Sequence, residues 1–67
     1  MSKATYASIL RNSYTEDDAP DRRRALIHAT FVGMVESIVN DADYTATQKI
    51  TKIRNLNDAR KEVLADE

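Results

Sequence analysis

The chain has 67 residues, with ten Lys or Arg against eleven Asp or Glu, one histidine and no cysteine. That is one domain, with neither a disulfide nor a thiolate zinc site available to staple it. A net charge of −1 excludes both a strongly basic nucleic-acid coat and a strongly acidic DNA mimic. No apolar run approaches the ~18 residues of a membrane span.

The opening Met-Ser-Lys-Ala-Thr-Tyr has no apolar core of the kind a secretion signal carries, and the absence of cysteine fits a reducing compartment, so a cytoplasmic location is expected. One glycine and one proline are too few for the turns of an all-β fold. A 42% apolar and 31% charged composition does not match a disordered chain. The expectation is an all-α domain. A chain this short hides only roughly 60% of its unfolded surface when it folds alone, which leaves close helix packing or self-association as the stabilisers.

The first helix is predicted over 2–12. Ser2 can cap it, and Tyr6, Ile9, Leu10 and Tyr14 make a narrow apolar stripe with helical spacing. So short a helix is marginal alone, so it must dock on something. An acidic connector, Thr15 to Ala19, follows.

The second helix is predicted over 20–41. Pro20 suits the first helical position, Asp18 or Ala19 would cap it, and Asp21 favours the positive end of the dipole. Ile27, Phe31, Met34, Val35, Ile38 and Ala42 form one stripe. Ala25, Val32 and Val39 widen it to about half the circumference, more than a helix lying on a globular surface needs. That width predicts a central helix with neighbours on more than one side.

Asn40 to Asp43 favours a turn. Thr45 with Gln48 three residues on is a capping box, so the third helix is predicted over 46–65. A loop of about four residues would return it antiparallel to the second. The architecture expected is a long antiparallel hairpin with the first helix packed across it through Tyr6, Ile9 and Leu10. Part of the wide apolar face of the second helix is left for a second copy, so a homodimer closing a four-helix core is expected.

Several constellations bear on function. Ala29, Gly33 and Ser37 recur every four residues. Glycine inside a helix costs roughly 1 kcal/mol relative to alanine, which close approach of another helix, within the chain or from the second copy, would offset; the plain alternative is a solvent strip beside Glu36 and Asn40. Ile50, Ile53, Asn57, Arg60 and Leu64 follow the spacing of a coiled-coil seam, in which an asparagine fixes register; the alternative is an amphipathic helix with Asn57 and Arg60 at a wet edge. Arg22, Arg23 and Arg24 offer an anion or partner contact, or else neutralise Glu16, Asp17, Asp18 and Asp21 beside them. Gln48, Thr51, Lys52 and Asn55 are residue types that read base edges, although a long preceding helix and a glycine-free turn do not resemble a helix-turn-helix.

Enzymatic chemistry has little to stand on. His28 is the only histidine, the carboxylates cluster in loops and at the C-terminus rather than facing each other, and Asp41 and Asp43 lack calcium-loop spacing. No catalytic residue, cofactor or metal ligand is assigned. The function expected is a small non-enzymatic interaction module. It would be accessory or inhibitory to a larger protein, with Tyr6, Tyr14 and Tyr44 as aromatic anchors, and of the size class common among phage and mobile-element accessory proteins. The alternative is a small dimeric DNA-binding regulator using the third helix. No membrane partner is expected.

Overall fold

The computed structural model describes residues 2–66, which form three helices: α1 (Lys3–Arg11), α2 (Pro20–Val39) and α3 (Ala46–Ala65). There is no strand among the described residues.

The helix starts follow local hydrogen-bond chemistry. Ser2 Oγ accepts from the amide of Thr5 at 3.3 Å. The capping box at α3 is complete, with the Gln48 amide donating to Thr45 Oγ1 at 3.1 Å and the Thr45 amide to Gln48 Oε1 at 2.8 Å. α2 has Ala19 at its N-cap without a side-chain bond and relies on Pro20 and Asp21. Asp18, the other candidate cap, instead folds back to accept from the amide of Thr15 at 2.9 Å.

α2 ends at Val39, two residues before the expected boundary. The Asp41 carboxylate accepts from the amide of Asp43 at 2.9 Å, and this side-chain turn competes with continuation of the helix. The connector therefore spans residues 40–45, longer than expected, and Ala42 stands exposed in it rather than extending the α2 stripe.

The core is Tyr6, Ala7 and Leu10 of α1, Ile27 and Ile38 of α2, and Leu56, Ala59 and Val63 of α3. Tyr6 and Leu10 anchor α1 as its stripe predicts, but Ala7 takes the third buried position and Ile9 is half-buried. α1 packs mainly on α3, α2 also packs on α3, and α1 and α2 touch little. The helix with neighbours on two sides is thus α3, not α2. α1 is also too short to cover much of either long helix. At about 1.5 Å per residue, the nine residues of α1 reach less than half way along the hairpin.

α1 lies beside the C-terminal half of α3, held at its start by Lys3 and Glu62 (3.5 Å) and at its end by Arg11 and Asp66 (2.6 Å). The molecule is a rod of 39 × 18 × 13 Å. No helix is long and apolar enough to cross a membrane, among the residues described.

Leu10 is wholly buried at the α1–α3 contact, so Leu10→Ala should destabilise by about 2–5 kcal/mol. Ile9→Ala, half-buried, should cost clearly less. Urea denaturation followed by circular dichroism measures both.

Candidate interaction surface

α1 covers one side of the α2–α3 hairpin and leaves the other side open. On that side Phe31 and Val35 of α2 and Ile50, Ile53, Arg54 and Asn57 of α3 line a groove of about 570 Å³. Val32, Val39 and Ile50 are 38%, 50% and 58% exposed, the large apolar side chains most open to solvent. The residues that widened the α2 stripe in the sequence, Ala25, Val32 and Val39, are therefore exposed.

The seam predicted on α3 is the border of this groove rather than its core. Leu56 and Val63, which flank the seam, are fully buried together with Ala59. Ile53, Asn57, Arg60 and Leu64 are half-buried and Ile50 is exposed. Asn57 is satisfied within the chain, its Oδ1 accepting from Arg60 Nη2 at 3.0 Å and Nε at 3.3 Å. The same guanidinium lies 4.9 Å from the centre of the Phe31 ring. One cation thus bridges α3 to α2 through a ring face, a geometry in which the ring quadrupole attracts it.

Ala29, Gly33 and Ser37 are all exposed, and a Cβ placed on Gly33 would meet nothing within 4 Å. Within the chain this row is an exposed strip, open at Gly33 and reaching the edge of a small cavity at Ser37. It points away from the groove, so the two sets of candidate contact residues do not share a surface.

The arginine run stitches the acidic connector. Arg23 Nε donates to the Asp18 carbonyl at 2.8 Å and its Nη2 to the Glu16 carbonyl at 3.3 Å, while its guanidinium lies 5.9 Å from the Tyr14 ring centre. Arg22 pairs with Asp18 at 3.8 Å and Arg24 with Asp21. Local neutralisation is what the structure displays.

The aromatic anchors fare differently. Tyr6 is 1% exposed and so cannot be a surface anchor; its ring fills the space between α1 and the hairpin. Tyr14 and Tyr44 are half-buried, and Lys52 Nζ stands 4.4 Å from the centre of the Tyr44 ring. Tyr6, Tyr44 and Lys52 also line a small cavity of about 130 Å³ with Met34, Ser37, Ile38 and Asp41, a volume well below that of a typical small-molecule site.

Gln48, Thr51, Lys52 and Asn55 do fall together, lining a shallow depression with Thr47. Gln48, however, spends its carbonyl oxygen on the α3 cap, and Lys52 is engaged over Tyr44. Arg54 lies on the groove side instead. His28 is exposed, and no group of three or more His, Asp or Glu side chains converges as a metal site among the described residues. Comparison with protein-family models, with curated proteins and with solved structures finds no match for this chain.

What sequence reasoning missed here is the role of Arg23. Its acceptors are backbone carbonyls five and seven residues upstream, which no charge pattern displays.

Two measurements check this description. Gly33→Ala should stabilise the fold by about 0.5–1 kcal/mol, because it removes helix-interior backbone freedom and meets open space; a lowered melting temperature would show that something approaches this strip. Arg23→Ala should cost about 1 kcal/mol through the lost carbonyl contacts, whereas Arg22→Ala, an exposed pair, should change stability by less than about 0.5 kcal/mol.

Proposed function

We propose that the chain is a small non-enzymatic protein-interaction module, accessory to a larger protein, and that its docking surface is the open face of the α2–α3 hairpin. One observation carries this reading: exposed Ile50 lines a groove with half-buried Phe31, Val35 and Ile53, and by helical spacing exposed Val32 and Val39 fall next to Val35 on the same side of α2. Scattered exposed apolar residues need no explanation, but a contiguous apolar face rimmed by polar groups marks a contact site. The polar residues here are Arg54 and Asn57, which line the groove, with Arg60 over the Phe31 ring and Glu36 next to Val35 in sequence. A rigid helical hairpin presenting such a groove suits helix-in-groove recognition of another protein.

The non-enzymatic part of the reading is supported by the disposition of the charged groups. Asp18, Asp21, Glu62 and Asp66 each pair with a Lys or Arg, and Asp41 is engaged in its own turn. No two of these carboxylates share a cavity as an acid and base pair would; Asp41 lines the small cavity near Lys52 and Tyr44, but its carboxylate is engaged by the amide of Asp43.

The second reading, a DNA-binding regulator, draws support from the common depression formed by Thr47, Gln48, Thr51, Lys52 and Asn55. It is weakened by the engagement of Gln48 and Lys52 within the chain. Phosphate contacts make affinity fall steeply with salt, so this reading requires a duplex mobility shift at low salt that disappears as salt rises.

Affinity capture from the native host with wild type and Ile50→Glu side by side tests the first reading. Ile50 is 58% exposed, so the variant should melt within a few degrees of wild type. A bound protein present with wild type and lost with Ile50→Glu is the expected result. A bound protein retained by both would place the docking surface elsewhere.

A further inference from the structure

The open face carries charges of opposite sign on its two borders. Glu36 is the only carboxylate of α2 beyond its first turn, and it stands one residue from Val35 on the outer border of the apolar strip. Arg54 lines the groove on its α3 border. Both side chains are exposed, and neither makes a hydrogen bond, ion pair or ring contact among the described residues. The other cations in the N-terminal half of α3 are already occupied: Lys49 Nζ donates to the Val39 carbonyl at 2.7 Å, and Lys52 sits over Tyr44.

The heights of the two free charges are fixed by the hairpin. Lys49 meets Val39 near the connector, and Arg60 meets Phe31 further along. These two contacts set the antiparallel register of α2 and α3. By that register Glu36 is level with Arg54 on the opposite border of the groove.

We infer that the occupant of this face is a second copy of the chain, related by a two-fold axis that runs along the groove. This inference rests on reading the face as a docking surface and names what docks. An axis in that direction leaves heights unchanged and exchanges the borders. α2 of each protomer then lies over α3 of the other, antiparallel to it, and Val32, Val39 and Ile50 enter a four-helix core. Glu36 of one protomer meets Arg54 of its partner at the same height, and the contact occurs twice because the interface is isologous. An opposite-sign pair at equal height across the groove is the arrangement such an axis requires. An unrelated apolar helix laid in the groove would leave both charges unmatched unless it carried their complements. The row Ala29, Gly33 and Ser37 stays outside this interface, on the far side of α2.

The test is the mass in solution of the full chain, by multi-angle light scattering and sedimentation equilibrium, from micromolar to submillimolar concentration. Wild type should reach twice 7.6 kDa. Glu36→Arg or Arg54→Glu should each weaken association by about tenfold or more, since each places two like-charge pairs in the interface. The double variant Glu36→Arg with Arg54→Glu should recover most of the loss, as expected for directly coupled residues. Circular dichroism of the single variants checks that the protomer stays helical, which the exposure of both side chains favours.

A 7.6 kDa particle at every concentration overturns the inference. So does a dimer that ignores the single reversals, or a double variant that does not recover. These failures are distinct from failure of the docking-face reading: a monomer that still loses its captured partner on Ile50→Glu keeps the face and rejects only the second copy.

Discussion

The rest of the molecule depends on the buried strip Leu56, Ala59 and Val63 of α3, all three fully removed from solvent. These residues must serve two neighbours at once, α1 on one side and α2 on the other. Ala59 is small, and so is Ala7, buried on α1, so the short helix can lie close against the long one. Tyr6 and Leu10 then supply the apolar volume that two alanines cannot. With Tyr6, Leu10, Leu56 and Val63 fully buried and no unsatisfied buried side-chain polar atom among the described residues, this end of the rod is an ordinary small core. The other side of the hairpin has no such partner. A chain of this length has enough helix to cover one face of its hairpin, and the open groove follows from that shortage.

Charge in this molecule is used mostly for stitching. Arg11 and Lys3 tie α1 to α3, Arg23 holds the connector by its carbonyls, and Arg60 links Asn57 to the face of Phe31. Exposed ion pairs contribute little individually, but these contacts add polar ties around the edge of a small apolar core. Glu36 and Arg54 are among the exposed charges that join nothing within the protomer, and they are the ones that flank the groove side of the hairpin.

Features set by neighbours in the chain were legible in the sequence. Ser2, Pro20 and the Thr45–Gln48 box mark helix starts because the hydrogen bonds involved span three residues. Tyr6, Leu10, Ile27 and Ile38 were legible as core because large apolar side chains at helical spacing must find cover. Ala7 and Ala59 were not, since a methyl group leaves almost no periodic signal whether buried or exposed. The rank of the helices was also hidden. A wide apolar stripe looks the same in sequence whether its own chain covers it or leaves it bare, and for α2 the chain leaves Val32 and Val39 bare. Of the candidate contact residues, Ile50, Ile53 and Asn57 of the α3 row line the groove, whereas the glycine row lies on another side of α2. Helix propensity says that Gly33 is costly, but not which way it faces.

The tie between Arg11 and Asp66 joins residues 55 positions apart, whereas α2 and α3 are joined by a connector of only residues 40–45. Loop-closure entropy grows with the logarithm of length, so closing the longer span costs about 2 kcal/mol more than closing the shorter. On loop-closure grounds the hairpin costs less to form than the docking of α1, the step that completes the core. Because α1 covers Leu56, Ala59 and Val63, a protomer caught before that step exposes apolar surface on both sides of its hairpin at once.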